Sequence, residues 1–449
     1  MSVGLSRSKF VPLNHSPLET SNIVTSDTKK FPWRLQLPIY ATGFFNGNVY
    51  FMTGILMPLW AIILVGPEEP FLIGLIVASR QIGPVLFSIH GGTLMDQFGA
   101  RRIMLILGIL GTLSMGAFPH FPFVSAVMFL QLLNGFAEST SWIGSQTLVG
   151  SLLRGNPIYA GRLSFFLRCG GFVGPTLAGY AWHSFGAEAG FYFMAGWTFM
   201  GWFAGYLVPN ISPAINKSTS PPIKIADLIP KAGDYTDTLR MALIPAVGLM
   251  AACTLVRQTG SVMQVSFYPV WLNQIGVTAF DIGFMVGVSH IVSASSSLSV
   301  GTYTKWIKEH WLLIWTIGFS VVFITVTPLL PLITVNLPLP AQFGGMPLPV
   351  IDKIYIWLLG VICLRGFAQG INMPLMMSLS MRAVGHDQQG KVAALRVTLN
   401  RFGTVIFPIL MGAIAEFFGL EVSFYVVGGI GILALCWIAV WANRENSFR

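Results

Sequence analysis

The sequence predicts an all-α integral membrane protein of about twelve transmembrane helices in two six-helix bundles. Three observations predict it. Hydrophobic residues make up 54% of the chain and charged residues only 10%, against about 25% charged in a soluble domain, so lipid is the solvent for most of its length. The apolar residues fall into runs of roughly 20, enough for a helix to cross the hydrocarbon core. The longest polar interruption after the N-terminal segment, residues 209–239, divides those runs six and six.

In chain order, residues 1–36 lack the basic–apolar–small pattern of a cleaved signal and read as a cytoplasmic tail. The first bundle, 37–208, holds spans near 37–66, 71–91, 103–119, 122–150, 163–184 and 189–208. Residues 209–239 contain INKSTSPPIK, whose Ser, Pro and Lys content marks a cytoplasmic linker. The second bundle, 240–443, holds spans near 240–272, 278–300, 311–334, 354–380, 392–418 and 421–443, and residues 444–449 form a second cytoplasmic tail.

An even number of spans puts both termini on one side, and the basic residues gather there. Arg34, Arg101, Arg102, Arg154, Lys224, Lys305, Arg382 and Arg444 are among them, whereas the opposite loops carry only Lys353. Such asymmetry marks the cytoplasmic side. It predicts a multi-pass protein of the cell (inner) membrane with both termini cytoplasmic, and it accounts for the net charge of +9 without a nucleic-acid partner. Cys169, Cys253, Cys363 and Cys436 all fall within spans and read as packing residues, with no disulfide or metal framework.

The two bundles repeat one another. NGFAES (Asn134 to Ser139) in the fourth span matches RGFAQG (Arg365 to Gly370) in the tenth. Arg168, Gly170, Pro175, Gly179 and Gly186 match Arg401, Gly403, Pro408, Gly412 and Gly419 without a gap, and PLW at 58–60 matches PVW at 269–271. A parallel repeat of six spans is a transporter plan, with the substrate held between the halves near the bilayer midplane.

Between the second and third spans, GTLMDQFGARR carries Gly92, Asp96, Gly99, Arg101 and Arg102. It resembles the signature loop of the major facilitator superfamily, G-x-L-a-D-r-x-G-r-k. In the fifth span Gly161, Gly170, Gly174, Pro175, Ala178 and Gly179 resemble that family's antiporter motif, with alanine in place of one glycine. The resemblance covers nearly the whole chain after the tail and implies that family's fold and a transport function. Two positions depart from it. Gln97 and Ala100 stand where basic residues are usual, and the fourth span reads Gln131, Asn134, Gly135 where drug exporters carry an arginine associated with proton coupling. The loop is expected to be a cytoplasmic turn whose Asp96 latches one conformation onto a basic partner or a helix N-terminus.

Polar residues three or four apart share a helix face. Four spans show such stripes: Arg257, Ser261, Gln264 and Tyr268; Arg365, Gln369 and Asn372; Asn134, Glu138, Ser141 and Ser145; Asn46, Tyr50 and Thr53. Inside lipid such faces line a wet pathway or the bundle interior, or join helix to helix. Arg80, Arg257 and Arg365 lie near mid-span, Arg168 and Arg401 deeper than an end residue, and Arg396 near enough to an end to snorkel. Against them stands one midplane acid, Glu138, while Glu416 lies near the outer end of its span.

A central arginine costs roughly 2.5–3.5 kcal/mol on insertion scales. A bound anion would supply the missing partner, because guanidinium matches carboxylate or phosphate in a bidentate way. Backbone carbonyls and buried water are the competing partners. Gly170, Gly174 and Ala178 form a small-residue ridge for close helix contact, and Arg168, about 160–200° around the helix from Gly170, points elsewhere. Glu138 is the proton-coupling candidate, with His290 a weaker one that reads as a packed core residue.

No P-loop, HExxH or Cys–His spacing is present, so no cofactor, metal or enzymatic reaction is expected. The sequence points to a secondary transporter of a small organic anion, a carboxylate, working by alternating access with proton coupling. The substrate would meet Arg257, Arg365, Arg80, Arg168, Arg401, Tyr50, Gln264, Tyr268, Gln369 and Asn372. A drug or metabolite/proton exporter is the first alternative, favoured by the antiporter motif. A non-transporting receptor or assembly factor on the same fold is the second.

Overall fold

Lipid-facing apolar runs leave the backbone no partner but itself, and nearly everything described is helical. The computed structural model describes residues 32–98, 100–152, 157–209, 241–333, 342–343, 346–347, 353–382 and 389–444. The interiors of the tails and of the 209–239 linker therefore lie outside the described residues. The helices are α1 (Trp33–Asn46), α2 (Val49–Val65), α3 (Pro70–Phe98), α4 (Ala100–Ala117), α5 (Val124–Leu152), α6 (Pro157–Phe185) and α7 (Ala187–Leu207). They continue as α8 (Pro245–Val265), α9 (Phe267–Gln274), α10 (Ala279–Leu298), α11 (Glu309–Val326), α12 (Lys353–Arg382), α13 (Gln389–Phe418) and α14 (Leu420–Arg444). A two-residue antiparallel pair, Gln342–Phe343 with Met346–Pro347, precedes α12.

α1 and α2 make the first rod and α8 and α9 the seventh, and each break has a local cause. Between α1 and α2, Asn48 donates from Nδ2 to the Phe44 carbonyl at 2.7 Å and to the Leu167 carbonyl at 3.0 Å. Between α8 and α9, Pro269 has no N–H for the Val265 carbonyl, and its ring crowds that carbonyl. Among the described residues seven stretches are long and apolar enough to cross a membrane. Helices such as α5, α6 and α8 are long but interrupted by glycines, arginines and amides, as interior-facing helices are.

One expectation is corrected here. The signature stretch is helical on both sides of residue 99, because α3 runs on to Phe98 and α4 begins at Ala100. Only residue 99 separates them, so most of the motif is the last two turns of a helix.

The repeat in sequence becomes a pseudo-twofold in packing. Gly66, Gly186, Gly276 and Gly419 all have φ between 85° and 92° and turn the chain at one end, after the first, fifth, seventh and eleventh rods. Near that end α3 packs along α13 and α6 along α10. On one side Gly74 receives the Pro408 carbonyl and Gly412 faces Pro70. On the other, Gly283 receives the Pro175 carbonyl and Gly179 the Ala279 carbonyl. A side chain at any of the four would meet backbone, so glycine is what lets these rods touch. The largest core cluster runs across both halves, from Met52, Leu56 and Phe191 to Phe267, Trp271 and Met285.

Candidate functional site

The polar stripes meet where α2 crosses α8, at Gly54 and Val265. Tyr50 sits at this crossing. Arg80 of α3 lies over its ring at 5.1 Å and donates to its backbone carbonyl at 3.1 Å. The other terminal nitrogen of Arg80 forms an ion pair with Glu138 of α5. The two helices approach closely there because Gly135 lies against the Arg80 carbonyl. Arg80 is 4% exposed and the Glu138 side chain 13%, so the pair is largely screened from bulk water.

Arg365 on α12 is 1% exposed and donates to the Ser320 carbonyl at 3.2 Å, the Gly260 carbonyl at 2.6 Å and the side chain of Gln264. Its charge is held by three neutral acceptors. Arg257 on α8 donates to Asn400 at 2.7 Å, Gln258 at 3.0 Å and Ser261 at 3.4 Å, again all neutral. Its Nε is buried without a partner.

The matched arginines of the repeat behave alike. Arg168 on α6 reaches Ser293 on α10 at 3.4 Å, and Arg401 on α13 reaches Ser139 on α5 at 2.6 Å. Each crosses from its own half to the other, through a hydroxyl rather than an acid. Glu138 thus faces Arg80 directly and feels the charge of Arg401.

The other expected residues divide. Tyr268 is 1% exposed and stacks with Trp271 at 6.3 Å between centroids. Gln369 is half-buried one turn beyond Arg365. Asn372 accepts from Thr316 and joins α12 to α11. Asn134 donates to the Gly111 carbonyl at 3.3 Å, and Ser145 and Thr53 bond their own helices. Those three serve helix packing in this conformation.

A cavity of about 20 Å³ remains at the centre, lined by Tyr50, Gly54, Arg80, Gln131, Val262 and Thr404, room for about one water molecule. Among the described residues the halves meet closely from this level to the glycine-turn end. That contact is reinforced at the glycine-turn end, where the Glu416 carboxylate on α13 accepts from the Phe71 N–H in the first turn of α3 at 3.2 Å.

The fifth-span motif has two working faces. Gly170 and Gly174 pack against α1, α2 and α7 within their own half, while Pro175 and Gly179 pack against α10 of the other. Arg168 lies on the second face. In the signature stretch Arg101 donates to the Tyr206 carbonyl at 2.7 Å, tying α4 to the end of α7, and Arg102 is exposed. The side chain of Asp96 and the surroundings of Gly92, Gly99 and Gly161 lie outside the described residues.

Sequence reasoning passed over Gly74 and Gly283, yet a signal was present. FLIG at 71–74 matches FDIG at 280–283, one more segment of the repeat. It also set Arg396 aside as a snorkelling residue. Arg396 is half-buried, and its Nη1 is buried without a hydrogen-bond partner.

Among the described residues, helical rods in two pseudo-twofold sets of six with a polar centre between them are the architecture of a membrane transporter. A profile of the Major Facilitator Superfamily matches residues 39–349 and 341–447, and the chain belongs to that family. The multi-drug resistance efflux pump PmrA of Streptococcus pneumoniae is 24% identical over 367 residues, covering 80% of this chain and 84% of the pump. Among solved structures, the D-xylose-proton symporter superposes with a TM-score of 0.66 at 14% identity, covering 90% of this chain and 97% of that one. The nucleoside transporter NupG gives 0.64 at 13% identity, covering 92% and 100%. The POT family transporter PepTSo gives 0.65 at 12% identity, covering 92% and 98%.

Proposed function

We propose that this protein carries a small organic anion, a carboxylate, across the cell membrane by alternating access, with both termini cytoplasmic. The observation that carries the reading is the charge imbalance at the centre. Arg80, Arg168, Arg257, Arg365 and Arg401 lie within the spans with one mid-span acid, Glu138, and that acid is engaged by Arg80. Arg257 has only neutral partners, so its full positive charge is available to an incoming carboxylate. Arg168 and Arg401 bridge the halves through hydroxyls, contacts that can exchange for substrate oxygens when the halves rock apart.

Proton coupling is assigned to Glu138. Protonation would release Arg80 from its ion pair and change the charge of the cavity by one unit, linking proton binding to anion binding. The two bundles, 37–208 and 240–443, would be the rocking bodies, joined by a cytoplasmic linker at 209–239.

A second reading is export of drugs or metabolites. The likeness to PmrA and the near-complete antiporter motif favour it. A thermal-shift panel on the purified protein separates the two. The anion reading expects stabilisation by small carboxylates, abolished in Arg257→Ala. Stabilisation by lipophilic cations that survives Arg257→Ala would overturn it in favour of drug export. No response to any solute, with no flux in proteoliposomes, would favour a non-transporting role.

A further inference from the structure

The strongest unused feature of the centre is a second guanidinium beside Arg257. Arg396 and Asn400 are four residues apart on α13, and Arg257 and Ser261 four apart on α8, so each pair shares a helix face. Arg257 is bonded to Asn400 at 2.7 Å, which sets Arg396 one helical turn away, close enough for its charge to act on Arg257. Two half-buried positive groups thus lie within about a helical turn of a shared partner, Asn400. Glu138 is engaged with Arg80 inside the first bundle, and the side-chain acceptors on Arg257 are amides and a hydroxyl.

Each guanidinium also keeps a buried nitrogen without a partner, Nε on Arg257 and Nη1 on Arg396. Buried N–H groups are nearly always satisfied. Like charges near one another repel more strongly where water screens them only in part. An arrangement with both features calls for a ligand that neutralises two charges and accepts from both sides.

We infer that Arg257 and Arg396 together form a subsite for a doubly charged oxyanion, so that Arg396 selects dianions over monoanions at the centre of the transporter. The inference rests on the anion reading above and narrows it from small anions in general to those carrying two negative charges on oxygen. A dicarboxylate and a phosphate monoester share that chemistry. Arg257 anchors one charge, with Asn400 and Ser261 fixing its guanidinium, and Arg396 meets the second.

The test measures binding to the purified full-length protein by calorimetry at pH 7.5, using isosteric pairs. Succinate is compared with succinamate, and methyl phosphate with dimethyl phosphate. In the native protein the dianion of at least one pair should bind at least about tenfold more tightly than its monoanion, and the pair that shows it tells dicarboxylate from phosphoryl ligand. Arg396→Gln should bring that ratio close to one while leaving monoanion binding within about twofold. Arg396→Lys, which keeps the charge, should retain most of the preference and controls for folding. Equal binding of dianion and monoanion in both pairs, or an undiminished ratio in a folded Arg396→Gln protein, would overturn the dianion site while leaving the anion reading intact. Failure of all four anions to bind would remove both together.

Discussion

Single residues at the centre do different work despite sharing a charge, and their partners tell them apart. Arg365 is enclosed by two backbone carbonyls and Gln264, so it pins α12 to α8 and α11. Leaving a buried polar partner unsatisfied costs about 1–3 kcal/mol. Arg365→Met should therefore lower the melting temperature in detergent, an effect seen without any substrate present. Arg257→Gln keeps the amide-rich surroundings and should change melting little while removing anion binding. Glu138→Gln leaves Arg80 with the Tyr50 carbonyl and ring but no carboxylate. If Glu138 carries the coupled proton, substrate exchange should persist in proteoliposomes of this variant while substrate-driven proton movement disappears; a normal pH signal would assign the coupling elsewhere. Residue types and depth were legible in the sequence. Which arginine is already satisfied was not, because Ser320 and Gly260, whose carbonyls hold Arg365, are distant in sequence and carry no side-chain signal.

At the scale of elements, the contacts between halves are made by backbone on glycine at two pseudo-equivalent places, Gly74 with Pro408 and Gly283 with Pro175. Either Gly74→Leu or Gly283→Leu should wedge the rods apart at the glycine-turn end. In a cysteine-free background, spin labels at positions 68 and 273 should then report a longer distance than in the unsubstituted protein. Glu416 adds a carboxylate to the start of α3, where backbone N–H groups and the helix dipole favour negative charge. Glu416→Gln should shift the same distance in the same direction, but less. At the other end of α3, Asp96→Asn is expected to slow transport more than it weakens binding; equal losses would remove the latch role from the signature motif. The sequence located both motifs but misread the form of one. Glycines and charges suggested a turn through the whole stretch, whereas α3 is helical to Phe98 and α4 from Ala100.

For the whole molecule, composition and repetition were sufficient to fix the class. A chain this poor in charge has to satisfy its backbone internally as helices, and a sixfold set of runs repeated in parallel has to bury its polar faces between the two sets. Those constraints act along the chain or between matched segments, so they can be read without coordinates. The seating of the halves is another matter. The 20 Å³ cavity, the crossing of α2 and α8 at Gly54, and the reach of Arg168 and Arg401 to Ser293 and Ser139 depend on how two bundles seat against each other. That seating is set by side-chain shape and backbone approach between residues more than a hundred positions apart. The sequence by itself determined a membrane transporter with arginines at its core; tertiary structure decided which of those arginines are already bonded to the protein and which stand beside each other with nitrogens to spare.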